Sequence, residues 1–204
     1  MGTLYRILSA PNSDKIAVLH SVYRLFLSQT ILRLIFRKVG SKSVIFRPGL
    51  VLGANCIWVG SNSVIRYGSR LEVVKHGQDW TPKLQIGNDV NIEQNVHIVC
   101  HDTIIIHDRV SITGNCAIVD VSHPVISGDL RQKIGANIGC SRSHVEIGEG
   151  SFLGYGAVVL PNVKIGRQCI IGAGSVVTSD VPDYSIAAGA PARVVGRTQP
   201  GNNE

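Results

Sequence analysis

From Ile147 to Val181 an aliphatic residue returns at every sixth position without a break: Ile147, Leu153, Val159, Ile165, Ile171 and Val177. A short fixed period of this kind marks a solenoid, in which each unit buries its apolar face only by stacking on its neighbours. Six residues per unit is the period of a parallel β-helix. The fourth residue after each aliphatic one is compact: Ser151, Ala157, Val163, Cys169, Ser175 and Val181. The third is often Gly or Asn, as at Gly150, Gly156, Asn162 and Gly174, types that accept the left-handed backbone of a tight corner. Three hexads predict one triangular coil, with a short strand on each side and a corner between sides.

An aromatic content of 5% and 22 glycines in 204 residues fit one thin, repetitive all-β domain rather than a sandwich with an aromatic core. The expected divisions are a helical, amphipathic segment over 1–44, the β-helix over 45–182 with loops near 73–85 and 124–146, and a tail over 183–204 that folds back along the coils. The period starts at Phe46 and Leu52, slips by one, and resumes at Val59, Ile65 and Leu71, with Asn55 and Asn62 in the corner slot. Ile86, Ile92 and Ile98 continue it and, after two inserted residues, so do Ile106, Ile112 and Ile118, with Asn95 and Asn115 at corners. Cys56, Cys116 and Cys169 fall in the compact slot and read as buried thiols of a reducing, cytoplasmic compartment, with no disulfide framework.

The formal net charge is +6, and basic residues cluster at Arg33, Arg37 and Lys38 and again at Arg193 and Arg197. Such groups suit the phosphates of a small ligand or an anionic membrane surface. No basic run is interleaved with stacking aromatics, so no nucleic-acid partner is expected. Residues 16–36 are mostly apolar, but His20, Arg24, Gln29 and Arg33 interrupt them, and neither a spanning helix nor a signal peptide is expected. The leading reading is a helix packed on the β-helix or on its trimer mates. The second is an interfacial helix making peripheral contact through 16–38 at the inner face of the membrane, with Arg24, Arg33, Arg37 and Lys38 at the headgroups.

The hexads together with IGAGSVVTSDVPDYSIAAGAPARVVGR, Ile171 to Arg197, resemble the C-terminal half of the left-handed β-helix acyltransferases that use acetyl-coenzyme A. The stretch IIHDRVSITGNCAIVDVSHP, Ile105 to Pro124, is similar to the segment ending in the catalytic histidine of the galactoside, maltose and polysaccharide O-acetyltransferase branch. The resemblance covers about residues 45–197. It implies a left-handed coil, against the usual right-handed rule for parallel crossovers, together with acetyl-coenzyme A as donor, a sugar or glycan acceptor, no metal, and a homotrimer with sites at its interfaces.

The chemistry needs a base to take the acceptor hydroxyl's proton, and imidazole, with an unperturbed pKa of about 6.5, does so at neutral pH without an acyl-enzyme. His123, before the long insertion, is the candidate base, and the insertion is placed to fold over it. Asp120 is the candidate to orient His123, although a coil-edge aspartate is the commoner state. His101 in a corner slot, Glu93, Asn95 and the loop residues His76 and Trp80 are candidates for the acceptor side, with His101 and His123 expected at one cleft. In the galactoside-type enzymes the position of His101 is acidic and that of Glu93 an asparagine, so both depart from that pattern and argue against a galactoside or maltose acceptor. His97 and His107 read as surface residues. For the donor, the resemblance points to Phe152, Gly154 and Tyr155 near the pantetheine, Ala173, Thr178 and Ser179 along the groove, and Arg193 and Arg197 at the phosphates, where guanidinium binds oxygen pairs.

Three other readings compete. A serine O-acetyltransferase has a similar AAGAPARVVGR tail but a helical N-terminal domain that 45 residues are too few to supply. A zinc hydratase resembling the γ-type carbonic anhydrases would draw on His97, His101 and His107, which fall in different hexad slots. The third is a non-catalytic β-helix scaffold.

Overall fold

The computed structural model describes residues 11–75, 79–123, 133–139 and 141–198; His76, residues 124–132 and 140 of the expected loop over 124–146, and the residues after 198 lie outside them. Six stacked coils form a three-sided parallel β-helix. Its strands are β1 (Lys38–Val39), β2 (Val44–Ile45) and β3 (Leu50–Leu52) in the first coil, then β4 (Ile57–Val59), β5 (Val64–Ile65) and β6 (Arg70–Val73) in the second. The third coil holds β7 (Lys83–Ile86), β8 (Asn91–Ile92) and β9 (His97–Cys100), and the fourth β10 (Thr103–Ile106), β11 (Ser111–Ile112) and β12 (Ala117–Val119). The fifth holds β13 (His144–Ile147), β14 (Phe152–Leu153) and β15 (Val158–Val159), and the sixth β16 (Val163–Ile165), β17 (Ile170–Ile171) and β18 (Val176–Val177). The first face runs β1-β4-β7-β10-β13-β16, and the third β18-β15-β12-β9-β6-β3. After the sixth coil, β19 (Ser185–Gly189) extends the second face beside β17, and β20 (Ala192–Arg197) turns back antiparallel on it.

The period is realised as an aliphatic column inside the prism. Ile147, Leu153, Val159, Ile165, Ile171 and Val177 are all buried, as are the compact partners Ser151, Ala157, Val163, Cys169, Ser175 and Val181. Strands on the first face turn two side chains inward, such as Ile104 with Ile106, so this side is wider than a hexad strand alone requires. Corner residues Asn62, Asn95, Asn115 and Asn162 have φ near +60°, and Gly150, Gly156 and Gly174 are also positive.

The start of the coil differs from the sequence reading. Its inward residues are Val39, Ile45 and Val51, whereas Leu52 faces solvent, because strand alternation allows only one of two adjacent residues inside. The coil thus begins at Lys38 rather than 45. Asn55 lies in a 3-10 turn, Ala54–Cys56, and the left-handed corner residue is Gly53. The first loop is shorter than expected, since β6 reaches Val73 and β7 starts at Lys83, and β13 starts at His144, inside the range expected of the second.

Before the coil lie α1 (Asn12–Gln29) and α2 (Ile31–Ile35). The first coil has an open edge whose backbone groups need partners, and α1 supplies them. Arg24 donates to the Ile45 carbonyl from Nη2 at 2.7 Å, Ser28 Oγ accepts the Ile45 N–H at 2.9 Å, and Gln29 Nε2 donates to the Gly40 and Ser43 carbonyls. The helix does pack on the β-helix, but with its polar side. Arg24, expected at a headgroup, is turned inward. No described helix is long and apolar enough to cross a membrane.

Candidate active site

His123 follows β12 and lines a groove of about 490 Å³ over the third face. Arg70, Glu72, His97, Val99 and Val119 form its floor, and Gly135 and Ile138 of the returning insertion form one wall. The floor follows from register: Arg70 stacks on His97 and that on Ala117, while Glu72 stacks on Val99 and that on Val119. Arg70 and Glu72 form an ion pair, with Arg70 Nε at 2.7 Å from Glu72 Oε2. Burial first, and the Arg70 cation second, hold His97 below its ordinary value, with Glu72 pulling the other way.

The His123 ring is fixed by the insertion. Its Nδ1 lies 2.9 Å from the Asn137 carbonyl oxygen, and the Gly139 N–H donates to the Ser122 carbonyl at 2.9 Å. A carbonyl only accepts, so this hydrogen bond assigns the proton to Nδ1 and leaves Nε2 with its lone pair. The ring itself remains exposed. Its partner is thus a main-chain carbonyl and not Asp120.

Asp120 is buried and holds the turn of the coil above. Its carboxylate accepts the N–H of His101, and those of Asp102 and Thr103 at 2.9 Å each. Burial pushes this carboxyl up, against the pull of the three donors. Asp102, also buried, accepts from Arg142 Nε at 2.6 Å, the Ser143 N–H at 3.0 Å and the Thr103 hydroxyl at 3.1 Å. Burial raises Asp102 as well, but these donors outweigh it and hold the carboxyl below its ordinary value. The pair of aspartates therefore ties down the point where the insertion rejoins the coil.

The described acceptor-side candidates lie apart from the His123 groove. His101 is buried rather than at a left-handed corner, and it meets Trp80 edge to face at 5.5 Å, with Arg142 stacked over the Trp80 ring. Neither residue lines the His123 groove. Glu93 pairs loosely with Arg66 at 3.7 Å, and Asn95 sits at the corner before β9, at the other edge of the third face. His97, which the sequence places at the surface, lines this groove, and its signal is the register with Arg70, hidden because successive coils differ in length. His107 lies on the first face, 2.9 Å from Glu146, so His97, His101 and His107 do not converge. Among the described residues no cluster of three or more His, Cys, Asp or Glu side chains could hold a metal ion.

The donor-side residues fall in two places. Phe152, Tyr155 and Ala173 are exposed on the second face and at the corner leading to the third, where Asn115 Nδ2 donates to the Tyr155 hydroxyl. Gly154 is buried there, and a Cβ on it would sit 2.6 Å from the Ala173 nitrogen of the next coil. Thr178 and Ser179 are exposed at the far end of the third face, the edge that His123 occupies two coils away. Arg193 and Arg197 are exposed on β20. One chain thus carries His123 and Tyr155 at opposite edges of one face.

Residues 144–179 match the family described as bacterial transferase hexapeptide (six repeats). The chain is 36% identical over 126 residues to the serine acetyltransferase of Salmonella typhimurium, covering 62% of this chain and 40% of that protein. To the galactoside O-acetyltransferase of Lactococcus lactis it is 38% identical over 111 residues, covering 54% and 51%. The matched segment thus spans about half or less of these relatives. In fold it is similar to AntD, an N-acyltransferase from Bacillus cereus, with TM-score 0.70 and 18% identity over 84% of this chain and 88% of that one. A maltose O-acetyltransferase from Clostridium difficile covers 98% of each chain at TM-score 0.53 and 24% identity. The coil is a left-handed parallel β-helix of hexapeptide repeats, and residues 144–179 carry the repeat of the bacterial hexapeptide transferases.

Proposed function

We propose that the chain is an acetyl-coenzyme A-dependent O-acetyltransferase acting on a sugar hydroxyl in surface polysaccharide synthesis. The observation that carries this reading is the Nδ1 hydrogen bond of His123 to the Asn137 carbonyl, which leaves Nε2 as a base at a groove lined by Arg70, Glu72 and His97. Nε2 takes the acceptor hydroxyl's proton, and the oxygen attacks the thioester carbonyl. The tetrahedral adduct then collapses, expelling the coenzyme A thiolate, which recovers the proton from the imidazolium. No acyl-enzyme forms. Hydroxyl-rich acceptors suit the groove, because Arg70 donates, Glu72 accepts and a neutral His97 does both.

The separation of His123 from Tyr155 and Ala173 supports a homotrimer in which a neighbouring copy brings its donor edge to His123. Buried, unpaired Cys56, Cys100, Cys116 and Cys169 favour a cytoplasmic setting. The Salmonella relative supports a second reading, in which serine is the acceptor.

The test is thiol release from acetyl-coenzyme A against sugars, nucleotide sugars, lipid-linked glycans and serine. Nucleotide sugars belong in it because AntD was crystallised in complex with dTDP and 3-hydroxybutyryl-CoA. Release with a glycan or nucleotide sugar supports the proposal. Release with serine alone replaces it by the second reading, and no release with any acceptor overturns both.

A further inference from the structure

The N-terminal helices present an inverted arrangement. In α1 the side chains of Arg24, Ser28 and Gln29 are used on the open edge of the first coil, which leaves the opposite side facing out. That side is apolar. Ile16, Leu19, Tyr23 and Phe26 are 53% to 78% exposed, and their spacing of three and four residues places them on one helical stripe. In α2, Ile31, Leu34 and Ile35 continue the exposed surface, with Leu34 at 87%. A contiguous patch of this kind on a folded chain marks an interaction surface rather than scattered surface residues.

Charge says what covers it. From Lys15 to Arg47 the sequence has seven Lys and Arg and no Asp or Glu, whereas the remainder has 13 basic against 14 acidic residues. The whole positive excess of the protein therefore sits on the segment that carries the apolar stripe. Arg33, Arg37 and Lys38 are exposed beside it. A second copy docked by the same face would bring these cations together without an anion to meet them. An anionic lipid surface meets both needs, taking the apolar side chains below the headgroups and the cations at them.

We propose that α1 and α2 dock the protein on an anionic membrane surface, lying in its plane without crossing it. The helices hold the first coil at the bilayer, with the prism standing off the membrane. This assignment is independent of the acyl-transfer chemistry.

The test is co-sedimentation of the full chain with vesicles of phosphatidylcholine alone and of phosphatidylcholine with phosphatidylglycerol. Binding to the anionic vesicles is expected. An exposed cation contributes about fivefold, so the triple variant Arg33→Gln, Arg37→Gln, Lys38→Gln should bind them roughly a hundredfold more weakly. Phe26→Asp with Leu34→Asp should abolish binding while circular dichroism and light scattering stay unchanged, since both residues point away from the coil. No binding to either vesicle, equal binding to both, or undiminished binding by the Phe26/Leu34 variant overturns the proposal. So does a Phe26/Leu34 variant that loses subunits in light scattering, because the face is then an interface between copies.

Discussion

The Asn137 carbonyl oxygen lies 2.9 Å from His123 Nδ1, joining the residue before the insertion to one on its return. The contact makes the tautomer of the proposed base depend on the loop. A histidine at a coil edge has two nitrogens, and only the one opposite a fixed acceptor is left as a lone-pair base. The insertion thus acts on His123 directly, through its main chain.

If His123 is the base, His123→Ala lowers kcat by roughly a hundredfold or more and leaves acetyl-coenzyme A binding unchanged. Thiol-release kinetics and donor titration measure the two separately. An unchanged kcat rules His123 out as the base, whereas no thiol release by the unaltered chain with any acceptor supports the non-catalytic scaffold.

Asp120→Asn removes a carboxylate that accepts three main-chain N–H groups and turns an amide toward them. A loss of about 1–3 kcal/mol is expected, read by denaturant unfolding. Because Asp120 faces the turn at 101–103, kcat at a temperature where the variant is folded should fall far less than in His123→Ala.

His97 is held below its ordinary value of 6.5 by burial and Arg70. Below pH 6.5 the unfolded chain therefore binds more protons than the folded one, and His97 lowers stability as pH drops through that window. An NMR titration should give His97 a midpoint below 6.5, and Arg70→Gln should raise it. His97→Gln should flatten the acid limb of the stability curve.

Gly154→Val places a Cβ against the Ala173 nitrogen and the Ile171 carbonyl of the next coil. Separating two coils is expected to cost about 1–3 kcal/mol and to raise KM for the donor, since Ala173 belongs to the proposed groove. Thermal melts and donor-dependent kinetics check the two effects.

The repeat was legible in the sequence because its cause is local. A side chain that must enter a narrow prism at every rung leaves a six-residue trace, and φ near +60° at corners leaves Asn and Gly. The aliphatic column from Ile147 to Val177, the compact slots at Cys116 and Cys169, and the position of His123 at the break all follow from it. Register between coils left no such trace, since insertions after Val73 and after Val119 shift each coil by a different count. Only the stacked structure puts Arg70 beside His97, draws His101 under Trp80, and assigns Asp120 to the turn at 101–103 rather than to His123. The same holds for the N-terminal segment. Its sequence reads as amphipathic, but which side faces out was decided by the open edge of the first coil, whose main-chain groups take the helix's polar side chains and leave the apolar ones to solvent.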